Sequence, residues 1–260
     1  MYADRFVLKG AMLVAVWMPD AFRATRDLDL LGRGDPSPRL AEDVFKDLCR
    51  LTVEPDGVEF DAASVRAEVI REDQRYMGTR VKLEARVAEA VIGLQVDVGY
   101  GDAVVPPPAT IDYPSLLKFA PPHVSAYSRY TVVAEKLQAA VELGVTNSRL
   151  KDFFDLFTLA SRFDFDGPQL VDAFTATFGR RGASIPAEPP AALSARFAEA
   201  PDKLAQWKGF LKRSRVRIDI PPFPAVVEAV AEFALEPLEA ARLSAKFAAH
   251  WRPGGGWVRG

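Results

Sequence analysis

Thiols and imidazoles are scarce in this chain: 260 residues contain one cysteine, Cys49, and two histidines, His123 and His250. One thiol excludes an intramolecular disulfide and suits a reducing compartment. So few Cys and His donors argue against a zinc site, and all three residues are read as structural or surface groups. An excess of one charge is also missing. The 33 Lys and Arg face 35 Asp and Glu, a net charge of −2. The chain as a whole is therefore no general polyanion binder, and any nucleic-acid contact must come from a local patch. The most apolar early run, Ala11 to Met18, is far short of a membrane span and follows no signal-peptide pattern, which predicts a cytoplasmic protein without a membrane partner. No internal repeat occurs, and low complexity is confined to Gly254-Gly255-Gly256, read as a flexible tail.

What is present is an ordinary globular composition, 49% apolar and 26% charged, long enough for two modest domains. Arg5 to Leu8 reads as a strand stopped by Lys9-Gly10, Ala11 to Trp17 as a buried helix closed by Pro19, and Arg23 to Leu31 as a second strand. Residues 38–52 space their apolar side chains as an amphipathic helix does. From Val58 to Val98 the period becomes two. Val65 to Ile70 and Arg80 to Ala85 read as strands joined at Tyr76-Met77-Gly78, followed by a strand over Ile92 to Gly99. The prolines at 106–108 and 121–122 mark an irregular linker. Beyond it the spacing predicts helices over Tyr130 to Leu143, Arg149 to Arg162, Leu170 to Phe178, Ala191 to Leu211 and Phe223 to Ala249, with room for one more short strand. The expected domains are 1–120, mixed α/β, and 121–260, mainly helical.

Within the first domain, Asp27 and Asp29 are two apart in an apolar run, so a strand places both carboxylates on one face. Two adjacent carboxylates are costly to bury unless a cation neutralises them, and Mg²⁺ (or Mn²⁺) is the usual hard-cation partner. Asp97, alone in an apolar strand, reads as a third carboxylate for the same metal. A solvated surface pair is the plainer alternative. The Gly10 turn and the helix after it can offer backbone N–H groups to phosphate oxygens. In the second domain, Lys151, Asp152 and Asp155 fall near the start of one helix, on a shared face by their spacing. They read either as a solvated ion-pair face or, with Lys136 from the preceding helix, as a triphosphate and acceptor-handling cluster. Between Arg196 and Arg217, Lys203, Lys208, Lys212, Arg213 and Arg215 outnumber the acids, with Trp207 and Phe210 interleaved. That strip reads as an RNA-phosphate surface or a solvated helix face, with the two aromatics assigned to the core.

Five segments, in order, resemble successive motifs of the AbiEii/AbiGii nucleotidyltransferase toxin family, which includes the MenT-like toxins. They are Phe6 to Leu13, Thr25-Arg26-Asp27-Leu28-Asp29, Leu94 to Asp102, Ala134-Glu135-Lys136-Leu137, and Arg149-Leu150-Lys151-Asp152-Phe153-Phe154-Asp155. The resemblance implies an α/β fold with a DNA polymerase β-like nucleotidyltransferase core, and a helical domain that completes the active-site cleft. It implies a toxin of a toxin–antitoxin system that transfers NMP from an NTP to RNA, with the 3′ end of tRNA foremost, and that has an antitoxin partner. By motif, Thr25, Asp27, Lys136 and Asp152 are the expected catalytic positions. Lys9, Gly10, Lys136, Arg149 and Lys151 are expected on the nucleotide, and Asp27, Asp29 and Asp97 on the metal, with Asp155 in support. Where the family has Gly-Gly or Gly-Ser, this chain has Gly10-Ala11, and it begins almost at the first strand, where relatives carry an extra helix. Phosphoryl transfer to a protein hydroxyl, on the antitoxin or on Thr25, and a binding module without turnover are the alternative readings.

Overall fold

The computed structural model describes all residues except 1, 20–24, 26, 74–75, 116, 215, 217 and 260. The chain divides into two units: residues 1–17, 25–102 and 108–127 form the first, and residues 18–24, 103–107 and 128–260 the second.

The first unit is built on a seven-stranded mixed sheet. Its strands are β1 (Phe6–Lys9), β2 (Asp27–Gly32), β3 (Val58–Asp73), β4 (Tyr76–Val87), β5 (Ala90–Tyr100), β6 (Ala109–Asp112) and β7 (His123–Ala126), in the order β3-β4-β5-β2-β1-β7-β6. β1 runs antiparallel to β2, whereas β2 runs parallel to β5. Helix α1 (Ala11–Trp17) follows the Gly10 turn, and helix α2 (Pro38–Cys49) lies on one sheet face. There Ala41 and Phe45 pack on Val65, Val81, Val96 and Val98, as the apolar stripe of an amphipathic helix should. Because strand side chains alternate, Asp27, Asp29 and Asp97 face away from that core. Beneath the end of α2, Met12, Leu28, Phe45, Leu48 and Leu94 line a cavity of about 430 Å³ that also reaches Cys49. Burial pushes the Cys49 thiol up, which favours its protonated form.

Two expectations change here. Tyr76-Met77-Gly78 is not the hairpin connection: Asp73 pairs with Tyr76 and Ile70 with Gly78, so β3 and β4 run on to residues 73 and 76. The proline-flanked stretch is not a plain linker, because β6 lies inside it and pairs with β7 in the main sheet. The second strand is described over Asp27–Gly32; its expected start, residues 23, 24 and 26, lies outside the described residues.

The second unit is mainly helical, with α3 (Arg129–Leu143), α4 (Leu150–Arg162), α5 (Gly167–Arg180), α6 (Ala195–Ala198), α7 (Pro201–Ser214) and α8 (Phe223–Leu243). The Ser128 hydroxyl accepts the Thr131 N–H and caps α3, and Asp166 caps α5 by accepting from Gln169. The single helix expected over Ala191 to Leu211 is broken into a 3₁₀ turn, α6 and α7, since Ser194 caps α6 and Pro201 starts α7. The last expected helix stops at Leu243, where Ser244 takes a left-handed conformation. Instead of one extra strand there are three, β8 (Phe165–Asp166), β9 (Ala249–Arg252) and β10 (Gly256–Arg259), in a small sheet ordered β10-β9-β8. Gly254-Gly255-Gly256 is thus no loose tail: Gly254 and Gly255 lie in a hairpin turn and Gly256 opens β10. The hairpin's tryptophans anchor it: Trp251 Nε1 donates to Ala160 O at 2.7 Å and Trp257 Nε1 to Phe233 O at 3.0 Å. Gly167 is required where it sits, because a Cβ would stand 2.6 Å from Ala249 O.

Candidate active-site residues and family

On the first unit two of the expected carboxylates, Asp29 and Asp97, fall in one row of charge across the sheet. Lys9 on β1 pairs in register with Asp29 on β2, Asp29 with Asp97 on β5, and Asp97 with Arg80 on β4. Asp27 lies one row along, beside Gln95. Asp29 and Asp97 therefore stand side by side on neighbouring strands. The Asp97 carboxylate, however, is held by a two-pronged pair: Arg80 Nε to Oδ1 and Arg80 NH2 to Oδ2, each 2.8 Å. Gln95 Nε2 adds a longer contact to Oδ2 at 3.3 Å. This is the planar fork geometry that guanidinium and carboxylate share. It gives the buried Asp97 a cationic partner that is not a metal ion. Among the described residues no three Asp, Glu, His or Cys groups are gathered as a metal cluster. Asp27 and Asp29 together offer oxygen donors alone, a set that fits a hard cation keeping water and phosphate in its shell, not one caged wholly by protein.

Gly10 sits at φ +73°, a conformation open to glycine, and a Cβ there would collide with the Asp29 carboxylate. The glycine turn and Asp29 are thus fitted to each other. Thr25 is half-buried, and its hydroxyl donates to Asp27 O at 3.3 Å. Lys9, expected on the nucleotide, is buried and paired with Asp102, Nζ to Oδ2 at 2.7 Å.

On the second unit, Lys136 of α3 bridges two carboxylates of α4, reaching Asp152 Oδ1 at 2.8 Å and Asp155 Oδ2 at 2.7 Å. Both acids are buried. Arg149 Nε lies 2.8 Å from Asp152 Oδ2, without the alignment of a hydrogen bond. Burial pushes the Asp152 carboxyl up, but Lys136 and Arg149 outweigh it and hold the group below the ordinary carboxylate range. Asp152 is therefore an ionised acceptor at neutral pH. The cluster is no solvated face, and Lys151 does not share it: its side chain is exposed, whereas Asp152 and Asp155 point inward.

Along α7, Lys208, Lys212 and Arg213 are exposed, and Trp207 is buried as expected. Lys203 leaves the basic strip: it is buried, with Nζ donating to Asn147 O at 3.0 Å. Arg215 lies outside the described residues. Sequence reasoning missed Arg80 and Tyr127 and gave Asp102 no role. Arg80 becomes visible only once β4 is set in register against Asp97.

Residues 2–229 match the family model described as nucleotidyl transferase AbiEii toxin, type IV toxin–antitoxin system. No curated protein matches the chain. Two solved structures, both from Helicobacter pylori, are similar. One, named as a candidate nucleotidyltransferase, is 15% identical with a TM-score of 0.51, covering 94% of this chain and 89% of that one. The other, JHP933, is 15% identical with a TM-score of 0.47, covering 94% and 86%. The first likeness extends the fold over nearly the whole chain. No helix among the described residues is long and apolar enough to cross a membrane. With a mixed sheet that carries Asp27 and Asp29 on one face, and a family match over most of its length, the chain belongs to the AbiEii nucleotidyl transferase toxins of type IV toxin–antitoxin systems.

Proposed function

We propose that this toxin transfers NMP from an NTP to an RNA end, with the 3′ end of tRNA as the first candidate acceptor, and so blocks translation. The observation that carries the reading is the pair Asp27 and Asp29 on one face of β2, with Asp29 packed against the Gly10 turn. These two carboxylates would hold Mg²⁺ or Mn²⁺. Bound there, the metal supplies charge stabilisation at the phosphates as pyrophosphate departs. Asp97 is already held by Arg80, so its first role is to fix that guanidinium beside the pair, with the metal as a second partner for its oxygens. Lys136, a compact point charge, is the assigned triphosphate contact of the second unit, with Arg149 and the exposed Lys151 in support. Asp152, ionised and acceptor-only, orients the acceptor hydroxyl or receives its proton, and Asp155 steadies Lys136. Thr25 keeps its hydroxyl against the Asp27 backbone. The exposed Lys208, Lys212 and Arg213 suit RNA phosphates. The cognate antitoxin is the protein partner that the family implies.

The test incubates the full chain with Mg²⁺, each α-labelled NTP and total tRNA. Label is expected on RNA with at least one NTP and lost in Asp27→Asn. No label on RNA with any NTP would refute the proposal.

A further inference from the structure

Lys9, Asp102 and Tyr127 come from three separate segments of the first unit and meet at one oxygen. Lys9 Nζ lies 2.7 Å from Asp102 Oδ2, and the Tyr127 hydroxyl donates to the same oxygen at 3.0 Å. The Lys9 and Asp102 side chains are only 8% and 12% exposed, and Tyr127 is buried. Tyr127 is itself fixed, since its N–H donates to Leu8 O at 3.0 Å. The ammonium passes over Gly99 of β5, where a Cβ would stand 3.1 Å from Nζ and 3.7 Å from Asp102 Oδ2. Gly99 lies two residues beyond Asp97 on the same face, and Lys9 is the ladder neighbour of Asp29. Lys9 is thus the ladder neighbour of a carboxylate assigned to the metal, and its buried ammonium is held by another carboxylate, Asp102, that a tyrosine steadies.

A lysine in that position works against a divalent cation at Asp29, because its charge opposes the cation and its amine competes for the same oxygens. Balanced by Asp102, it adds no net charge. We infer that Asp102, held by Tyr127, is a positioning residue that balances the charge of Lys9 beside the carboxylates assigned to the metal. The inference rests on the metal reading above and assigns Lys9 to charge balance rather than to the triphosphate.

The two single variants shift metal affinity in opposite directions. Asp102→Asn leaves Lys9 unbalanced and weakens Mn²⁺ binding about tenfold. Lys9→Met leaves Asp102 as an added negative charge and tightens it. The double variant returns close to the wild-type affinity. A merely structural ion pair would move stability without this reversal. The experiment titrates Mn²⁺ alone into the full chain by calorimetry, with circular dichroism to check folding and Asp27→Ala as the site control. Weaker binding in Asp102→Asn with tighter binding in Lys9→Met supports the inference. Equal affinity in all variants, or a shift of one sign in both singles, overturns it while the metal reading stands. Absence of any Mn²⁺ uptake that Asp27→Ala removes overturns the metal reading and this inference together. If Asp102→Asn fails to fold, Lys9→Met decides alone: tighter binding supports, unchanged or weaker binding overturns.

Discussion

Gly10 and Asp29 constrain each other, and that contact is the sharpest residue-scale feature of the first unit. Gly10→Ala adds a Cβ at a positive φ and into the Asp29 carboxylate at once. It should cost about 1–3 kcal/mol in a thermal or denaturant melt and displace Asp29, with weaker Mn²⁺ uptake. Unchanged stability and uptake would show that the turn relaxes freely. Asp152 gives a second residue-scale expectation. Its carboxyl is held below the ordinary value, so the stability it contributes is full above the unfolded value and is lost only as pH falls through the lower, folded value. Activity that depends on ionised Asp152 should therefore show no acid limb from this group above about pH 4; a pH–rate profile checks it. These residues differ in how legible they were. Asp27 and Asp29 announce themselves by a spacing of two, and Asp152 and Asp155 by helical spacing. Arg80 and Tyr127 act across strands and segments far apart in sequence, and no local period points to such partners.

At the scale of elements, local pattern did well for the first four helices. The helices α1, α3 and α4 lie within one residue of their expected bounds, and α2 ends a few residues early. It did poorly where short strands depend on partners. β6 has four residues flanked by prolines, and β9 and β10 have four each; their pairing and two tryptophans hold them, not their propensity. Phe233 is the packing centre of that C-terminal hairpin, with ring centroids 5.0 Å from both Phe165 and Trp251. Phe233→Ala should destabilise the second unit by about 3–5 kcal/mol in denaturant melts. A loss below 1 kcal/mol would mean that the aromatic cluster does not anchor β9 and β10. The α3–α4 pair was legible as a charged cluster but not as a buried one. Whether acids at helical spacing face solvent or a lysine from another helix is decided by packing.

For the whole molecule, the fold class could be read from the order strand, glycine turn, helix, strand with paired Asp, and then helices; the family match and the seven-stranded sheet agree with it. The strand order could not, since β5 enters beside β2 in parallel and only ladder pairing reveals it. The near-neutral net charge of −2 leaves any RNA contact to local patches such as the exposed face of α7. The central claim is that this toxin moves a nucleotidyl group, not a phosphoryl group, and that it does so through Asp27. Parallel reactions with α-labelled and γ-labelled NTP, in the presence of tRNA and Mg²⁺, test it most directly. The account predicts α-label on RNA from the wild-type chain, none from Asp27→Asn, and no γ-label on any macromolecule. Label from the γ position on protein, with none from the α position on RNA, would contradict it.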